Sequence, residues 1–328
     1  MERFTETVRD SLKAAQNNEI LIFGKRVEKL FGHVAGALGE CKLIKSEDAG
    51  ETFTSPTDEI IPPDYKLILN DGKQIFVEVK NCNMPNPMSL YTLKKNYVEK
   101  IERYGELHKI PVYYAIFFRC MGHWVLLPIS SLTEHRKTYT INFMTALAKS
   151  EMNMLGDVSI GIKPKLTFEL VVDKTKDVSI DGESNASFTI GDVKIYCDNI
   201  EIVNSTEKDI AFYLMMFGRW NCSAPIAIMD KDELQCIQYR FTPDTPENEE
   251  LAAEQGFHTI GSLSSMITLA FNQQTIYKQR VTSIDARVEP SVFSARIPKG
   301  YKGEQLPLWI FHMLPNHDFV NTGSEALG

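Results

Sequence analysis

Cysteine is scarce and scattered in this chain: Cys41, Cys82, Cys120, Cys197, Cys222 and Cys236 are its six, with no Cys-x-x-Cys pair. That spacing excludes a disulfide framework and a zinc knuckle and leaves reduced core thiols as the expectation. Long apolar runs are missing too. None reaches the roughly 18 residues that a membrane-spanning helix needs. The opening stretch MERFTETVRDSLKAAQ lacks the apolar core of a signal peptide. The expectation is a cytoplasmic protein with no membrane partner. The seven histidines show no metal-ligand spacing, and there is no G-x-S-x-G, no P-loop, no repeat and no low-complexity tract. Positive charge is in deficit. A net charge of −8 excludes a protein that coats nucleic acid non-specifically.

What is present is ordinary globular material: 328 residues, 43% hydrophobic and 24% charged, enough for two domains. The charge is uneven. Residues 1–149 carry 20 Lys+Arg against 18 Asp+Glu, and the remainder 15 against 25. Only the first half can face a polyanion without strong repulsion. The expected division is a first domain over 1–150 and a β-rich second domain over 151–328, with a linker near 149–164.

Apolar residues at helical spacing predict a helix over 18–38, stopped by Gly39. A second helix is expected over 90–109, ended before Pro111. The runs VYYAIFF (112–118) and HWVLLPI (123–129) read as strands. The fold class is therefore α/β, with a mixed sheet flanked by helices. Beyond residue 164, KLTFELVVD, VKIYC, IEIVN, IAFYLMMF, PIAIMD, CIQYRF and LPLWIFHML read as short strands, with a helix inserted near 247–277.

The stretch PPDYKLILNDGKQIFVEVK (62–80) reads as a hairpin. Asn70-Asp71-Gly72 suits a type I turn closed by a left-handed glycine. In that register Leu69 faces Lys73 and Asp64 lies opposite Glu78; a two-residue Asp71-Gly72 turn would shift the register by one and separate Asp64 from that face, and the position of the glycine favours the first. Lys80, two residues on, shares the face of Glu78. Ile75, Val77 and Val79 form the other face and are expected to pack on a helix. Two carboxylates at close range repel unless a proton or cation lies between them. Oxygen-rich carboxylate pairs with room for water suit Mg²⁺, and a lysine beside them can stabilise developing charge. The parts needed for phosphodiester hydrolysis are present. The plain alternative is a solvated hairpin edge with an ordinary Glu–Lys pair.

These residues resemble the PD-(D/E)XK nuclease superfamily, of restriction-endonuclease-like fold. Pro63-Asp64 matches its first element and Glu78-Val79-Lys80 its second. Gly24-Lys25-Arg26-Val27-Glu28 resembles the G-x-x-x-E element of its Holliday-junction-resolvase-like and Mrr-like members. The resemblance covers about residues 18–130. It implies a metal-dependent endonuclease acting on DNA, RNA not being excluded, in prokaryotic restriction or antiphage defence. It further implies that Asp64 and Glu78 bind Mg²⁺ (Mn²⁺ can substitute), with the Val79 carbonyl as a further ligand. Lys80 would position the water, and Glu28 would complete the acidic cluster. The helical glutamine of many relatives falls near Asn96 here, so the subfamily stays open. Lys94, Lys95 and Asn96 are candidate nucleic-acid contacts at a helix N-terminus. Alternatives are a junction resolvase, or a non-catalytic protein that binds nucleic acid or a partner on a nuclease-like core. A homodimer is expected, because cutting both strands needs two sites. The second half is a candidate for dimerisation, for sensing a regulatory partner, or for reading DNA sequence through the basic residues Arg280, Arg287, Arg296, Lys299 and Lys302.

Overall fold

Pro63 and Gly72 set the limits of the hairpin. The structure, a computed structural model, describes residues 19–47, 59–163, 165–180, 185–244, 256–278, 280–294, 297–298 and 300–320; Arg296 and Lys299 lie outside the described residues. Gly72 adopts φ +91°, the left-handed conformation that glycine takes without Cβ strain. The Asp71 carboxylate accepts the Lys73 N–H at 2.8 Å, and the Leu69 N–H donates to the Lys73 carbonyl at 2.9 Å. The register is the expected one: Tyr65 pairs with Val77, Lys66 with Phe76, Leu67 with Ile75 and Ile68 with Gln74.

Helix α1 (Glu19–Leu38) and strand β1 (Cys41–Ser46) precede the hairpin strands β2 (Tyr65–Leu69) and β3 (Gln74–Cys82). After them come β4 (Tyr91–Lys94), α2 (Lys95–His108), β5 (Val112–Phe118) and β6 (His123–Pro128). The central sheet runs β1-β2-β3-β5-β6. It is mixed, because β3 and β5 are parallel while the other neighbours are antiparallel. A parallel pair needs a crossover, and α2 supplies it. The small strands β7 (Thr133–Glu134) and β8 (Thr138–Ile141) and the helix α3 (Phe143–Ala148) follow.

The second helix begins later than its apolar spacing suggests. Residues 91–94 are a strand paired with β8 (Leu93 opposite Tyr139), and Leu93 is buried while Thr92 and Lys94 are exposed. Alternation won over helical period there because a partner strand was available. At the other end Lys109 takes φ 57° and its N–H caps the Glu106 and Gly105 carbonyls, two residues before Pro111.

One sheet face carries Phe76, Tyr114, Ile116 and Phe118, which pack with Val98, Ile101 and Tyr104 of α2. On the other face Ile75, Val77, Val79 and Trp124 are buried, with Leu30, Phe31 and Val34 of α1. Phe31 lies 6.0 Å from Tyr65 and 5.4 Å from Trp124, ring centre to ring centre.

The described residues belong to two compact units. The first draws on Met1–Val158, Leu263–Ser294 and His312–Gly328, and the second on Ser159–Ser262 and Ala295–Phe311. This differs from a linear division at residue 150. The helix Leu263–Thr275 belongs with the first unit, where its apolar side (Met266, Ile267, Ala270 and Phe271) is buried. Arg26 of α1 is itself buried. Its guanidinium bonds the Thr275 hydroxyl at 2.8 Å and the Asn272 carbonyl, and lies 5.2 Å from the Phe271 ring centre.

That returning helix starts on a buried acid. Asp157 accepts the Ser264 N–H at 2.9 Å and its hydroxyl at 2.6 Å. Burial pushes the Asp157 carboxyl up to about 6 against the opposing pull of these bonds. A folded-state value above the unfolded one favours folding most at low pH. The contribution is therefore full below about 4 and is lost as pH rises through about 6. Asp157→Asn should flatten this dependence, a change on the order of 2 kcal/mol, read from thermal melts at pH 4 to 7. Unchanged pH dependence in the variant would refute the role given to Asp157.

The second unit is β-rich. Leu166–Val172 lies between Ile190–Cys197 and Glu233–Pro243 in an antiparallel sheet, and Ser159–Ile162 lies between His258–Ser262 and Leu308–Phe311. The stretch IAFYLMMF, expected as a strand, is instead the body of the helix Ser205–Phe217. The Asn204 side chain caps it by accepting the Glu207 N–H, and Ile210, Ala211, Leu214 and Met215 form the buried stripe. Of the helix expected near 247–277, only 263–275 is helical among the described residues, and 258–262 is a strand. No helix among the described residues is long and apolar enough to cross a membrane.

Candidate active site

Pro63 has no N–H to continue the β2–β3 ladder, so the pairing stops at Tyr65. The carboxylate of Asp64 takes over. Its Oδ2 accepts the Val79 N–H at 2.7 Å. Continuing the register by one residue sets Asp64 opposite Glu78, on the face that α2 covers. Glu78 is 3% exposed, so this is not a solvated hairpin edge.

A buried carboxylate is costly unless charge and hydrogen bonds compensate it. Glu78 has both. Lys80 Nζ donates to its Oε1 at 2.5 Å, and the Tyr97 hydroxyl donates to the same oxygen at 2.6 Å. Lys80 also donates to the Tyr97 oxygen at 3.1 Å and sits 4.5 Å from that ring's centre. Burial works against the Lys80 ammonium, but Glu78 and then Tyr97 outweigh it and hold the amine above its ordinary range. Burial, then Glu78, pushes the Tyr97 phenol up to about 12, so it stays a donor at neutral pH.

Asp64 is compensated less fully. Burial first, and then the Glu78 carboxylate, push it up to about 7; the Val79 N–H pulls back, Glu28 adds to the rise, and Lys80 offsets part of it. Among the described residues its Oδ1 accepts no hydrogen bond. Glu28 stands near enough for its charge to be felt at Asp64, but its own side chain is taken by Lys25 at 2.7 Å. The Tyr65 hydroxyl donates to the Glu28 backbone carbonyl at 3.0 Å, tying α1 to the hairpin. Asp64, Glu78 and Lys80 are thus brought together, with Glu28 at the edge of the group.

Among the described residues no set of three or more His, Cys, Asp or Glu side chains is arranged to hold a metal ion. Mg²⁺ does not need one. It is commonly bound through one or two carboxylates and several waters. The donor chemistry here, two hard carboxylates of which one is short of positive charge, fits that mode.

Lys94, Lys95 and Asn96 lie at the start of α2. They line a cleft of about 700 Å³ together with Glu99, Arg136, Lys137 and Thr138. Lys94 and Asn96 are exposed, while Lys95 is ion-paired with Glu134. The group is separate from the three bonds around Glu78. The signal for Tyr97 lies in the helical spacing, since Tyr97, Ile101, Tyr104 and His108 fall at i, i+4, i+7 and i+11 and mark it as facing the sheet. Arg136 and Lys137 carry no such signal, because nothing local says that the β7–β8 turn meets the start of α2.

The fold and this site define a mixed α/β protein with a buried carboxylate–lysine–phenol cluster beside a second, charge-poor carboxylate. No family model matches the chain, and no curated protein matches it. Among solved structures it is similar to Hjc, a Holliday junction resolvase of the archaeal hyperthermophile Archaeoglobus fulgidus. The identity is 20%, over 29% of this chain and 77% of that one, with a TM-score of 0.23.

Proposed function

We propose that the first unit is a Mg²⁺-dependent endonuclease of the PD-(D/E)XK kind, hydrolysing phosphodiester bonds in DNA. The observation that carries this reading is the geometry at the open end of the hairpin, where the Asp64 carboxylate accepts the Val79 N–H and Lys80 donates to Glu78 on the same strand. Asp64 and Glu78 would hold the ion, with the Val79 carbonyl as a further oxygen and Glu28 acting through water. When bound, the ion supplies positive charge to a phosphoryl oxygen and lowers the pKa of a bound water. Lys80 orients the attacking water and offsets charge developing on the phosphate. The cleft at Lys94, Lys95 and Asn96, widened by Arg136 and Lys137, would take backbone phosphates of the substrate strand.

The test is cleavage by the full chain of linear duplex, single-stranded DNA, RNA and a four-way junction, in Mg²⁺, in Mn²⁺ and in EDTA. Nicking or cutting of duplex DNA that stops in EDTA is the expected result. Preference for the junction would favour a resolvase. Binding without cleavage in either metal would overturn the enzymatic reading.

A further inference from the structure

We propose that Tyr97 is the positioning residue of this site, holding Glu78 by one oxygen and Lys80 by its amine so that both are set before a cation arrives. The inference rests on the proposed metal-dependent function and adds a residue to it. Three contacts carry it. The Tyr97 hydroxyl donates to Glu78 Oε1 at 2.6 Å, accepts from Lys80 Nζ at 3.1 Å, and its ring lies under the same ammonium at 4.5 Å. Both hydrogen bonds that the described residues give to the Glu78 carboxylate, one from Lys80 and one from Tyr97, fall on Oε1. Oε2 is therefore the oxygen left for a ligand, on the same sheet face as Asp64.

The placement has a mechanical basis. Glu78 and Lys80 lie on β3 and Tyr97 in the first turn of α2, the helix whose stripe Val98, Ile101 and Tyr104 is buried against this sheet. A phenol on a rigid ring keeps few rotamers, so it fixes the carboxylate plane at little entropic cost. Without it, Lys80 alone would hold Oε1, and the carboxylate could rotate about its last bond. Second-sphere hydrogen bonds of this type are worth roughly 10–100-fold in metal affinity or activity.

The experiment measures Mn²⁺ binding by calorimetry and by electron paramagnetic resonance, without DNA, for the full-length wild type, Tyr97→Phe and Tyr97→Leu. Cleavage kinetics at saturating Mn²⁺ and melting curves accompany it. Tyr97→Phe is expected to weaken Mn²⁺ binding about tenfold and to lower kcat about tenfold or more, with KM for DNA unchanged. Loss of packing alone would lower the melting temperature but not the affinity of the folded fraction. If Tyr97→Phe binds Mn²⁺ and cleaves like wild type while only Tyr97→Leu is impaired, the ring matters and the hydroxyl does not, and the inference fails alone. If the wild type neither binds Mn²⁺ nor cleaves, the metal-dependent reading fails and takes this inference with it.

Discussion

Asp64→Asn is expected to lower Mg²⁺-dependent DNA cleavage by at least about 10³-fold while leaving the fold intact, a loss of about 4 kcal/mol in transition-state stabilisation. Asparagine keeps an oxygen for the Val79 N–H but cannot supply the negative charge that the proposed cation site requires. The same substitution has a second, opposite signature in stability. Burial and Glu78 push the Asp64 carboxyl up to about 7, above its ordinary value near 3.8. A raised folded-state value favours folding fully below about 4, and that advantage is lost as pH rises through about 7. In EDTA at pH 8 the wild type therefore carries the cost of ionising Asp64, on the order of a few kcal/mol, and Asp64→Asn should melt at or above its temperature. Glu78→Gln and Lys80→Ala should lose activity as severely. They should also lose stability, since Glu78→Gln leaves the buried Lys80 ammonium without its countercharge and Lys80→Ala leaves the buried Glu78 carboxylate without its cation. Wild-type cleavage rates in Asp64→Asn would remove the site from consideration.

Trp124→Ala is expected to cost about 3–5 kcal/mol, the usual range for truncating a fully buried aromatic, and to lower the melting temperature by on the order of 10 °C. Trp124 has 0% exposure, its ring centre is 4.9 Å from Phe117 and 5.4 Å from Phe31, and its indole N–H donates to the Thr268 hydroxyl at 3.0 Å. It thus joins β6, α1 and the returning helix. Thr268→Val separates the polar part: it strands a buried indole N–H and should cost about 1–3 kcal/mol with almost no change in volume. A melting temperature for Trp124→Ala within 2 °C of wild type would contradict this account of the core.

The hairpin shows how far local information reaches. A three-residue loop with glycine last permits one register, and register decides which side chains share a face; hence Asp64 could be set opposite Glu78 from sequence, and Ile75, Val77 and Val79 together on the other face, which the structure shows to be that of α1. The same logic failed at 210–217. There a continuous apolar run suits a buried strand or a buried helix equally, and the Asn204 cap, which lies outside the run, decides for helix. It failed again at 91–94, where β8 supplies the partner that turns a helical extension into a strand.

By itself, then, the sequence determined the α/β class of the first half and pointed to the hairpin register that the structure shows, because each depends on period, turn chemistry or neighbours within about 20 residues. Tertiary structure alone decided that the Tyr97 hydroxyl meets Glu78, that Arg136 and Lys137 meet the start of α2, and that the helix Leu263–Thr275 returns to the first unit. These arrangements come from burying apolar faces whose partners lie far along the chain, and hydrophobic burial is non-directional: it says that a stripe must be covered, not by what.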